Sequence, residues 1–361
     1  MSRAARAVVD LAALRHNLQQ VRHAAPRRRI IAVIKADAYG HGLVPVAQAL
    51  DDADVLGVAC IEEALRLREA GIDTPILLLE GFFHADELPL IRRHQLQIVV
   101  HGEHQLAMLE SLPAQGTAIP AWLKVDTGMH RLGFSPEALA AAWRRLDACP
   151  AVAPVLGLMT HLANADDVGD GTTRQQLARL AAVRPDPAVA VSIANSAGIL
   201  AWPDSHGDAV RPGIMLYGAS PMLGETGRQR GLRPVMSLHS ELISIRHCKK
   251  GDGVGYGGSW VCPEDMPVGV AAMGYGDGYP RHAPSGTPLL VNGRRAALIG
   301  RVSMDMICID LRAQPAAAVG DPVTLWGDGL PAEEIAACAS TLAYALFCGV
   351  TSRVERAYID G

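Results

Sequence analysis

Polar side chains follow short apolar runs along the first two thirds of this 361-residue chain. They are Lys35, Glu80, His101, Lys124 with Asp126, His161, Asn195 with Ser196, and Arg211. If the runs are neighbouring strands, two lysines, an arginine and a histidine meet on one face. Such a face would bind an anionic ligand, and it would hold at least one amine able to do covalent chemistry.

Lys35 ends the run IIAVIK. A lysine at the end of a buried strand would lie beside apolar walls and other cations. Both surroundings favour the free amine, which would make Lys35 available as a Schiff-base nucleophile. The alternative is a lysine that extends from the strand end into solvent, and this residue alone does not separate the two.

Two segments rich in small residues follow the seventh and eighth runs. They are Asn195-Ser196-Ala197-Gly198 and Arg211-Pro212-Gly213-Ile214. Barrel proteins commonly bind phosphate at this point, through backbone N–H groups and a hydroxyl. Small residues allow the backbone to approach a ligand closely. A pair of plain turns is the alternative.

The elements that would position these residues repeat regularly. Eight apolar runs occur, each of a length that suits a strand buried on both faces. The runs are Ile30–Lys35, Val55–Ala59, Ile76–Glu80, Gln97–Val100, Ala121–Asp126, Val155–Thr160, Val189–Ala194 and Val210–Leu216. Segments such as Ile61–Ala70 and Pro136–Leu146 between them have helical spacing. We therefore predict an α/β fold with an N-terminal (β/α)8 TIM-type barrel over residues 11–230; a doubly wound sheet is the alternative.

The pattern changes near residue 232, where glycine-rich turns replace helices. Six further strands are predicted: Leu238–Arg246, Val268–Gly274, Leu289–Val291, Ala296–Arg301, Met306–Leu311 and Pro322–Trp326. We expect a C-terminal, mostly antiparallel β domain over residues 231–361. It would contain one helix, Ala332–Leu346, and a last strand, Arg353–Ile359. An N-terminal strand within residues 1–10 is expected to join this domain, and Asp10 would cap the helix that follows.

Composition narrows the class of protein. The net charge is −4 and no basic run occurs, so we expect neither a nucleic acid nor a membrane as partner. The N-terminus lacks the apolar stretch of a signal peptide. Seven scattered cysteines without a CxxC pair predict reduced thiols and a cytoplasmic location.

Nine segments, in order along nearly the whole chain, resemble the motifs of the alanine racemases. They are Ile34–Gly42 (IKADAYGHG), Leu123–Phe134, Met159–Asp167, Ala194–Gly198, Arg211–Gly218, Gly253–Trp260, Met273–Arg281, Gly300–Met306 and Tyr344–Arg353. One such motif would be weak evidence, whereas nine in sequence are specific. The family fold is a barrel that binds pyridoxal 5′-phosphate (PLP), followed by a β domain.

The resemblance implies a role for each matching residue. Lys35 would form the Schiff base with PLP, and Arg211 would face the pyridine nitrogen with His161 bonded behind it. The remaining cofactor-binding residues would be Tyr39, Asn195, Ser196, Gly213, Ile214 and Tyr344. Lys124 would be carbamylated and would orient Arg131, which would meet the cofactor phenolic oxygen and the substrate carboxylate. An unmodified Lys124 paired with Asp126 is the alternative.

The resemblance also implies that residues of the β domain act on the barrel of a second subunit. Tyr256 would be the second catalytic acid/base beside Lys35, in a homodimer with shared active sites. Tyr275, Met304 and Asp305 would complete the substrate pocket. The alternatives are that Tyr256 is a plain exposed turn tyrosine and that Met304 is ordinary core. The implied reaction is racemisation of L- and D-alanine, for cell-wall supply or for D-alanine catabolism.

Two departures and several rival functions remain. Ser303 stands where the family often has cysteine, and Ala345 follows Tyr344 where an acidic residue is usual. The rivals are a racemase of serine, of lysine or of broad specificity, a barrel-type decarboxylase of basic amino acids, and a non-catalytic PLP-binding barrel. The decarboxylases pair the pyridine nitrogen with a carboxylate, which the RPG segment at Arg211 argues against. The non-catalytic barrel would lack the β domain and Tyr256.

Overall fold

The computed structural model describes residues 4–113 and 116–361. The chain opens with strand β1 (Arg6–Asp10) and helix α1 (Leu11–Ala24). Asp10 caps α1, because its Oδ1 accepts a hydrogen bond from the backbone N–H of Ala13 at 2.9 Å. This cap was predicted, and it satisfies one of the N–H groups that have no partner within the helix.

Eight parallel strands then close into a barrel. They are β2 (Arg29–Val33), β3 (Val55–Val58), β4 (Ile76–Leu78), β5 (Gln97–Val100), β6 (Ile119–Lys124), β7 (Val152–Met159), β8 (Val191–Ser192) and β9 (Ala209–Val210). Strand β9 pairs with β2 and completes the circle. The predicted (β/α)8 barrel is confirmed, and the doubly wound sheet is wrong.

Helices surround the barrel, and side chains fill its interior. The helices are α2 (Leu43–Ala49), α3 (Ile61–Glu69), α4 (Leu88–Arg93), α5 (Glu103–Glu110), α6 (Pro136–Asp147), α7 (Thr172–Val183) and α8 (Ser196–Ala201). Inward-facing residues of seven strands, among them Val55, Leu77, Val99 and Trp122, form one buried cluster inside the barrel. The lower barrel is therefore packed core, and a ligand can enter only at the ends of the strands.

The rest of the chain forms a mostly antiparallel sheet. Its strands are β10 (Met236–Cys248), β11 (Gly253–Val254), β12 (Trp260–Val261), β13 (Met266–Ala271), β14 (Pro288–Val291), β15 (Arg294–Ile299), β16 (Ile307–Asp310), β17 (Pro322–Trp326) and β18 (Glu355–Ile359). Of these, β11 and β12 form a separate hairpin. Strand β1 lies in the main sheet between β10 and β18. The division at residues 230 and 231 stays a prediction.

Several of the predicted elements are wrong in extent; the seventh run, Val189–Ala194, is a strand only over Val191–Ser192. The single helix Ala332–Leu346 is two helices, α9 (Ala332–Cys338) and α10 (Ala343–Gly349). They are separated at Ser340, whose φ of 50° cannot continue a right-handed helix. The eighth run is a strand only over Ala209–Val210. Pro212 lacks a backbone N–H for the ladder, and the chain turns away.

Within residues 4–113 and 116–361, no helix combines the length and the apolar character needed to cross a membrane.

A left-handed turn follows β2 directly and carries Lys35 at its start. Ala36, Asp37, Ala38 and Tyr39 have φ values of 55°, 53°, 54° and 51°. Left-handed conformation costs roughly 1–2 kcal/mol for each residue that has a Cβ. Surrounding groups must therefore hold the turn. The carboxylate of Glu63 does so on one side, because its Oε1 accepts from the N–H of Ala36 at 2.6 Å.

Groups from the C-terminal part of the chain hold the turn on the other side. Arg356 Nε donates to the carbonyl of Gly40 at 2.7 Å, and the Tyr358 hydroxyl donates to the carbonyl of His41 at 3.2 Å. His41 is fully buried, and its Nδ1 lies 2.9 Å from the Tyr39 carbonyl. Burial lowers the pKa of His41 to about 4, so the ring stays neutral and Nδ1–H donates. Both domains thus position Lys35.

Gly40 and Gly71 allow a matched test of this arrangement. Both have positive φ, 76° and 77°, but a methyl group at Gly40 would overlap the Phe347 carbonyl, whereas one at Gly71 would meet nothing within 4 Å. Gly71→Ala should cost about 1–2 kcal/mol of unfolding free energy. Gly40→Ala should cost about 2–5 kcal/mol, because overpacking adds to the backbone strain. Urea unfolding measures both, and equal losses would contradict the contact.

Candidate functional site

A cavity of about 530 Å³ opens at the carboxyl ends of the barrel strands. Its walls combine apolar, hydroxyl and charged side chains. They are Val33, Lys35, Tyr39, Leu79, Glu80, Lys124, Arg131, Leu132, Met159, His161, Asn195, Ser196, Arg211, Gly213, Ile214 and Tyr344. Ligand sites in proteins typically have this size and mixture. The structure therefore brings most of the predicted site residues together. Tyr344 of α10 is the lining residue that comes from the C-terminal part of the chain.

Lys35 projects into this cavity from the start of the left-handed turn. Its side chain is 36% exposed, and its Nζ lies 3.5 Å from Oε1 of Glu80 at the end of β4. The side chain is thus half buried, as expected, and it lines the cavity instead of extending only into bulk solvent. Glu80 was among the polar residues that follow the runs, but it was assigned no role.

Lys124 is the most deeply placed amine of the cavity, with 9% exposure. Burial lowers the pKa of Lys124 to about 8, and the neighbouring cations Arg211, Arg131 and Lys35 add to the effect. Asp126 faces its own loop, since its Oδ1 accepts from the N–H groups of residues 128, 129 and 130. The alternative of a Lys124–Asp126 pair is therefore wrong.

Arg211 is buried at the floor of the cavity and held by three acceptors. It donates to Ser192 Oγ at 2.7 Å and to the carbonyls of Thr160 and Ile193 at 2.5 and 3.1 Å. Burial lowers the pKa of Arg211 to about 10, which leaves it a cation at neutral pH. Burial and the charge of Arg211 also hold the pKa of His161 well below its usual range. His161 is therefore neutral, and its Nδ1 lies 3.4 Å from Arg211 Nη2, where it can accept.

Hydroxyl groups and small residues form the opposite end of the cavity. The Ser196 Oγ accepts from the N–H of Gly213 at 2.9 Å, and Asn195 caps α8 by accepting from the N–H of Gly198 at 3.0 Å. Tyr39 stacks on Tyr217, with ring centroids 4.8 Å apart. Burial raises the pKa of Tyr39 above its usual range and that of Tyr344 to about 12. Both phenols therefore stay protonated and can donate hydrogen bonds.

This end of the cavity fits a phosphate group. A methyl group at Gly213 would lie 2.6 Å from the Tyr39 hydroxyl, so only glycine leaves the backbone open at that point. The hydroxyl groups of Ser196, Tyr39 and Tyr344 line the same cavity as Gly213. The described lining residues include four basic side chains, those of Lys35, Lys124, Arg131 and Arg211, and one carboxylate, that of Glu80. An anion with a phosphate at one end and a carbonyl near Lys35, as in PLP, matches both the charge and the donors.

Four of the predicted site residues lie outside this cavity. Tyr256, Met304 and Tyr275 are 66%, 52% and 39% exposed, so the alternative that Met304 is ordinary core is wrong. Asp305 forms an ion pair with Arg353 at 2.6 Å. The N–H of Tyr275 donates to the carbonyl of Ser303 at 3.0 Å, which places Tyr275 beside Met304 on one surface of the β domain.

Two residues that contribute to the site had no predicted role. Tyr217 is fully buried, stacks on Tyr39 and donates to the Val33 carbonyl at 3.0 Å. It belongs to the segment Arg211–Gly218, so its signal was its place in a motif. Arg356, which holds the turn after Lys35, lies outside the nine segments, and sequence pattern alone gave no signal for it.

Comparison with known proteins agrees with this geometry. The family model "Alanine racemase, N-terminal domain" matches residues 9–221, and "Alanine racemase, C-terminal domain" matches residues 235–358. A relative from Nitrosococcus oceani named alanine racemase is 55% identical over 350 residues, which cover 97% of this chain and 98% of that protein. The biosynthetic alanine racemase of Escherichia coli K12 is 52% identical over 99% of both chains.

Solved structures give the same result. The crystal structure of the biosynthetic alanine racemase from Pseudomonas aeruginosa superimposes with a TM-score of 0.95, at 46% identity and over 99% of both chains. That of the Acinetobacter baumannii alanine racemase gives a TM-score of 0.90 at 35% identity, over 99% of this chain and 100% of the other. This chain therefore belongs to the alanine racemase family.

Proposed function

We propose that this enzyme interconverts L-alanine and D-alanine with PLP, and that it supplies D-alanine for biosynthesis. The observation that carries the proposal is the cavity that gathers Lys35, Lys124, Arg131 and Arg211 at the mouth of the barrel. The biosynthetic role is supported by the names of relatives that are 52% identical over nearly the full chain. Serine and broad amino-acid specificity remain the rival substrates.

The cofactor would be held by residues already described. Lys35 would bind it covalently, while Ser196, Tyr39, Tyr344 and the backbone at Gly213 would hold its phosphate. When bound, PLP withdraws electrons from the substrate and makes the Cα–H acidic. Arg211 offers only hydrogen-bond donors, so it would leave a ring nitrogen opposite it unprotonated. Neutral His161 would keep the guanidinium in position.

Racemisation needs proton transfer on opposite faces of one carbon. We assign one face to the amine of Lys35, which would serve D-alanine, and the other to the hydroxyl of Tyr256, which would serve L-alanine. Because Tyr256 is exposed and lies outside the cavity of its own chain, we place it in the active site of a second subunit. A symmetric dimer repeats each contact, so both sites would be completed alike. Tyr275, Met304 and Asp305 would narrow the pocket for a small side chain.

Two further assignments rest on charge and chemistry. Lys124 would carry a carbamate, an anion that would orient Arg131; this is supported by the lowered pKa of Lys124, which makes the neutral amine that reacts with CO₂ accessible near pH 8. The enzyme would work in the cytoplasm, which the seven free cysteines support, since reducing compartments keep thiols free.

The covalent role of Lys35 has a direct test. Purified protein should absorb visible light, and borohydride should attach the cofactor permanently to the peptide that contains Lys35. Peptide mass mapping gives the position, with Lys35→Ala as the variant that should lose the label. Attachment at Lys124 instead would refute the assignment.

Tyr256→Phe should keep the visible absorbance and lose exchange of the α-proton of L-alanine in D₂O. The expected loss is roughly 10²–10⁴ in rate, because one acid/base group is removed. Proton NMR of L- and D-alanine measures the exchange, and near-normal racemisation would exclude the role.

Mixing two inactive variants tests whether each active site contains residues of both subunits. Lys35→Ala and Tyr256→Phe subunits, each inactive alone, should recover part of the activity after subunit exchange, since one site of each mixed dimer is intact. If exchange is demonstrated by mass spectrometry and no activity returns, each site is built within one chain.

Carbamylation of Lys124 should depend on pH and on CO₂. Since the neutral amine is the reactive form and the pKa of Lys124 is about 8, the carbamate should form at pH 8.5 with bicarbonate. It should be lost at pH 6 without bicarbonate. Carbon-13 NMR with labelled bicarbonate detects it. Lys249, whose pKa is raised by Asp265, is the matched control that should stay unlabelled. No Lys124-dependent signal at pH 8.5 would overturn the assignment.

A further inference from the structure

Glu80 is the carboxylate among the described residues that line the cavity, and no role has been given to it so far. Its Oε1 lies 3.5 Å from Nζ of Lys35, and the two side chains are similarly half exposed, at 37% and 36%. Glu80 therefore lies within ion-pair distance of the amine that the proposed reaction uses.

The position of Glu80 is fixed by its backbone. The carbonyl of Glu80 accepts from Nε2 of Gln105 and from Nε2 of His101, each at 3.2 Å. Gln105 is fully buried, and its Oε1 in turn accepts from the N–H of His101 at 2.8 Å. Burial and the charge of Lys124 lower the pKa of His101, so its ring is neutral and Nε2–H can donate to the carbonyl. His101, which follows β5, and Gln105 of α5 thus hold the backbone of Glu80 just after β4.

We propose that Glu80 is the counter-ion of Lys35, which stabilises the ammonium form whenever the lysine amine holds a proton. The inference deepens the proposed function and rests on it for the identity of the reaction. In the direction that consumes D-alanine, Lys35 takes the proton from one face of the substrate carbon and Tyr256 donates a proton to the other face; in the reverse direction Tyr256 takes a proton and Lys35 donates one. The amine of Lys35 is therefore an ammonium during each turnover, in a cavity that also holds the guanidinium groups of Arg131 and Arg211.

The other groups around Lys35 make that ammonium unfavourable. Arg131 and Arg211 line the same cavity as cations, neutral His161 lines it as well, and burial raises the pKa of the Cys348 thiol of α10. The proposed carbamate of Lys124 would be engaged by Arg131, which leaves Glu80 as the anion beside the Lys35 amine. Glu80 alone among the described lining residues offers a carboxylate. Without it, an ammonium at Lys35 would have no carboxylate beside it, and we expect the step in which the amine accepts the proton to be slower.

The first test measures the amine itself and needs no turnover. In the full-length chain freed of cofactor, acetic anhydride should label Lys35 roughly two- to fivefold faster in Glu80→Gln than in wild type at pH 7, because the amine loses its ion-pair partner. Exposed Lys250 serves as the internal reference, and circular dichroism verifies folding. The difference should shrink in 1 M salt, which screens a half-exposed pair.

Matched variants separate charge from packing. Glu80→Asp keeps a carboxylate, so its Lys35 should be labelled at a rate between those of wild type and Glu80→Gln. Glu103→Gln removes a carboxylate that pairs with Arg145 at the surface. Lys35 in this variant should be labelled at the wild-type rate. Equal labelling of Lys35 in Glu80→Gln and wild type, with both folded, would overturn the proposal.

The second test uses the asymmetry of the proposed mechanism, in which Lys35 serves D-alanine and Tyr256 serves L-alanine. Glu80→Gln should slow α-proton exchange of D-alanine more than that of L-alanine, measured in D₂O. A residue that only shaped the cavity would slow both alike, and that result would count against Glu80 as counter-ion. A wild-type enzyme without racemase activity would instead overturn the proposed function, while the labelling result would still decide the ion pair.

Discussion

The crowding of positive charge at the mouth of the barrel is the constraint on which the rest of the site depends. Arg211 and Lys124 are almost completely buried there, and Lys35 and Arg131 share the same cavity. Charges in a low-dielectric interior repel strongly unless acceptors or anions offset them. The protein responds at each position with a neutral His161, a lowered Lys124 pKa and acceptors around Arg211. Glu80 adds one negative charge, so an anionic ligand supplies the remaining compensation.

The left-handed turn after Lys35 joins the two parts of the fold around this cavity. Its conformation is unfavourable for residues that carry a Cβ, so it exists only because distant groups hold it. Glu63 of α3 binds its first N–H, while Arg356 and Tyr358 bind carbonyls at its end. The last strand of the chain thus determines where the reactive amine near the beginning of the chain points. Loss of the β domain would therefore damage the barrel site even within one subunit.

Sequence pattern predicted the barrel well because a strand buried on both faces must be continuously apolar. The runs predicted to end at Lys35, Glu80 and Val100 are strands that end at Val33, Leu78 and Val100, a difference of at most two residues. Sequence pattern failed where tertiary contacts determine the backbone conformation. Nothing in the residues 36–39 signals a positive φ, and Ser340 gave no sign that it would split a helix. Lys35, Lys124, His161, Ser196 and Arg211 followed from the barrel rule, whereas Tyr39, Arg131 and Tyr344 followed from the family resemblance. The contacts of Glu80 depend on tertiary structure that neither predicts.

The two halves of the chain contribute chemically different groups, and this difference explains the proposed dimer. The barrel supplies the cations of the cavity, of which Lys124 and Arg211 are buried. The β domain presents Tyr256, Met304 and Met306 to solvent, with 66%, 52% and 44% exposure. Apolar and aromatic side chains exposed together on one surface are costly in an isolated chain and typical of an interface. In the proposed reaction Lys35 would reach the substrate carbon from within the barrel, so the second proton donor would approach from outside it. A second subunit can bring one there without opening the packed core.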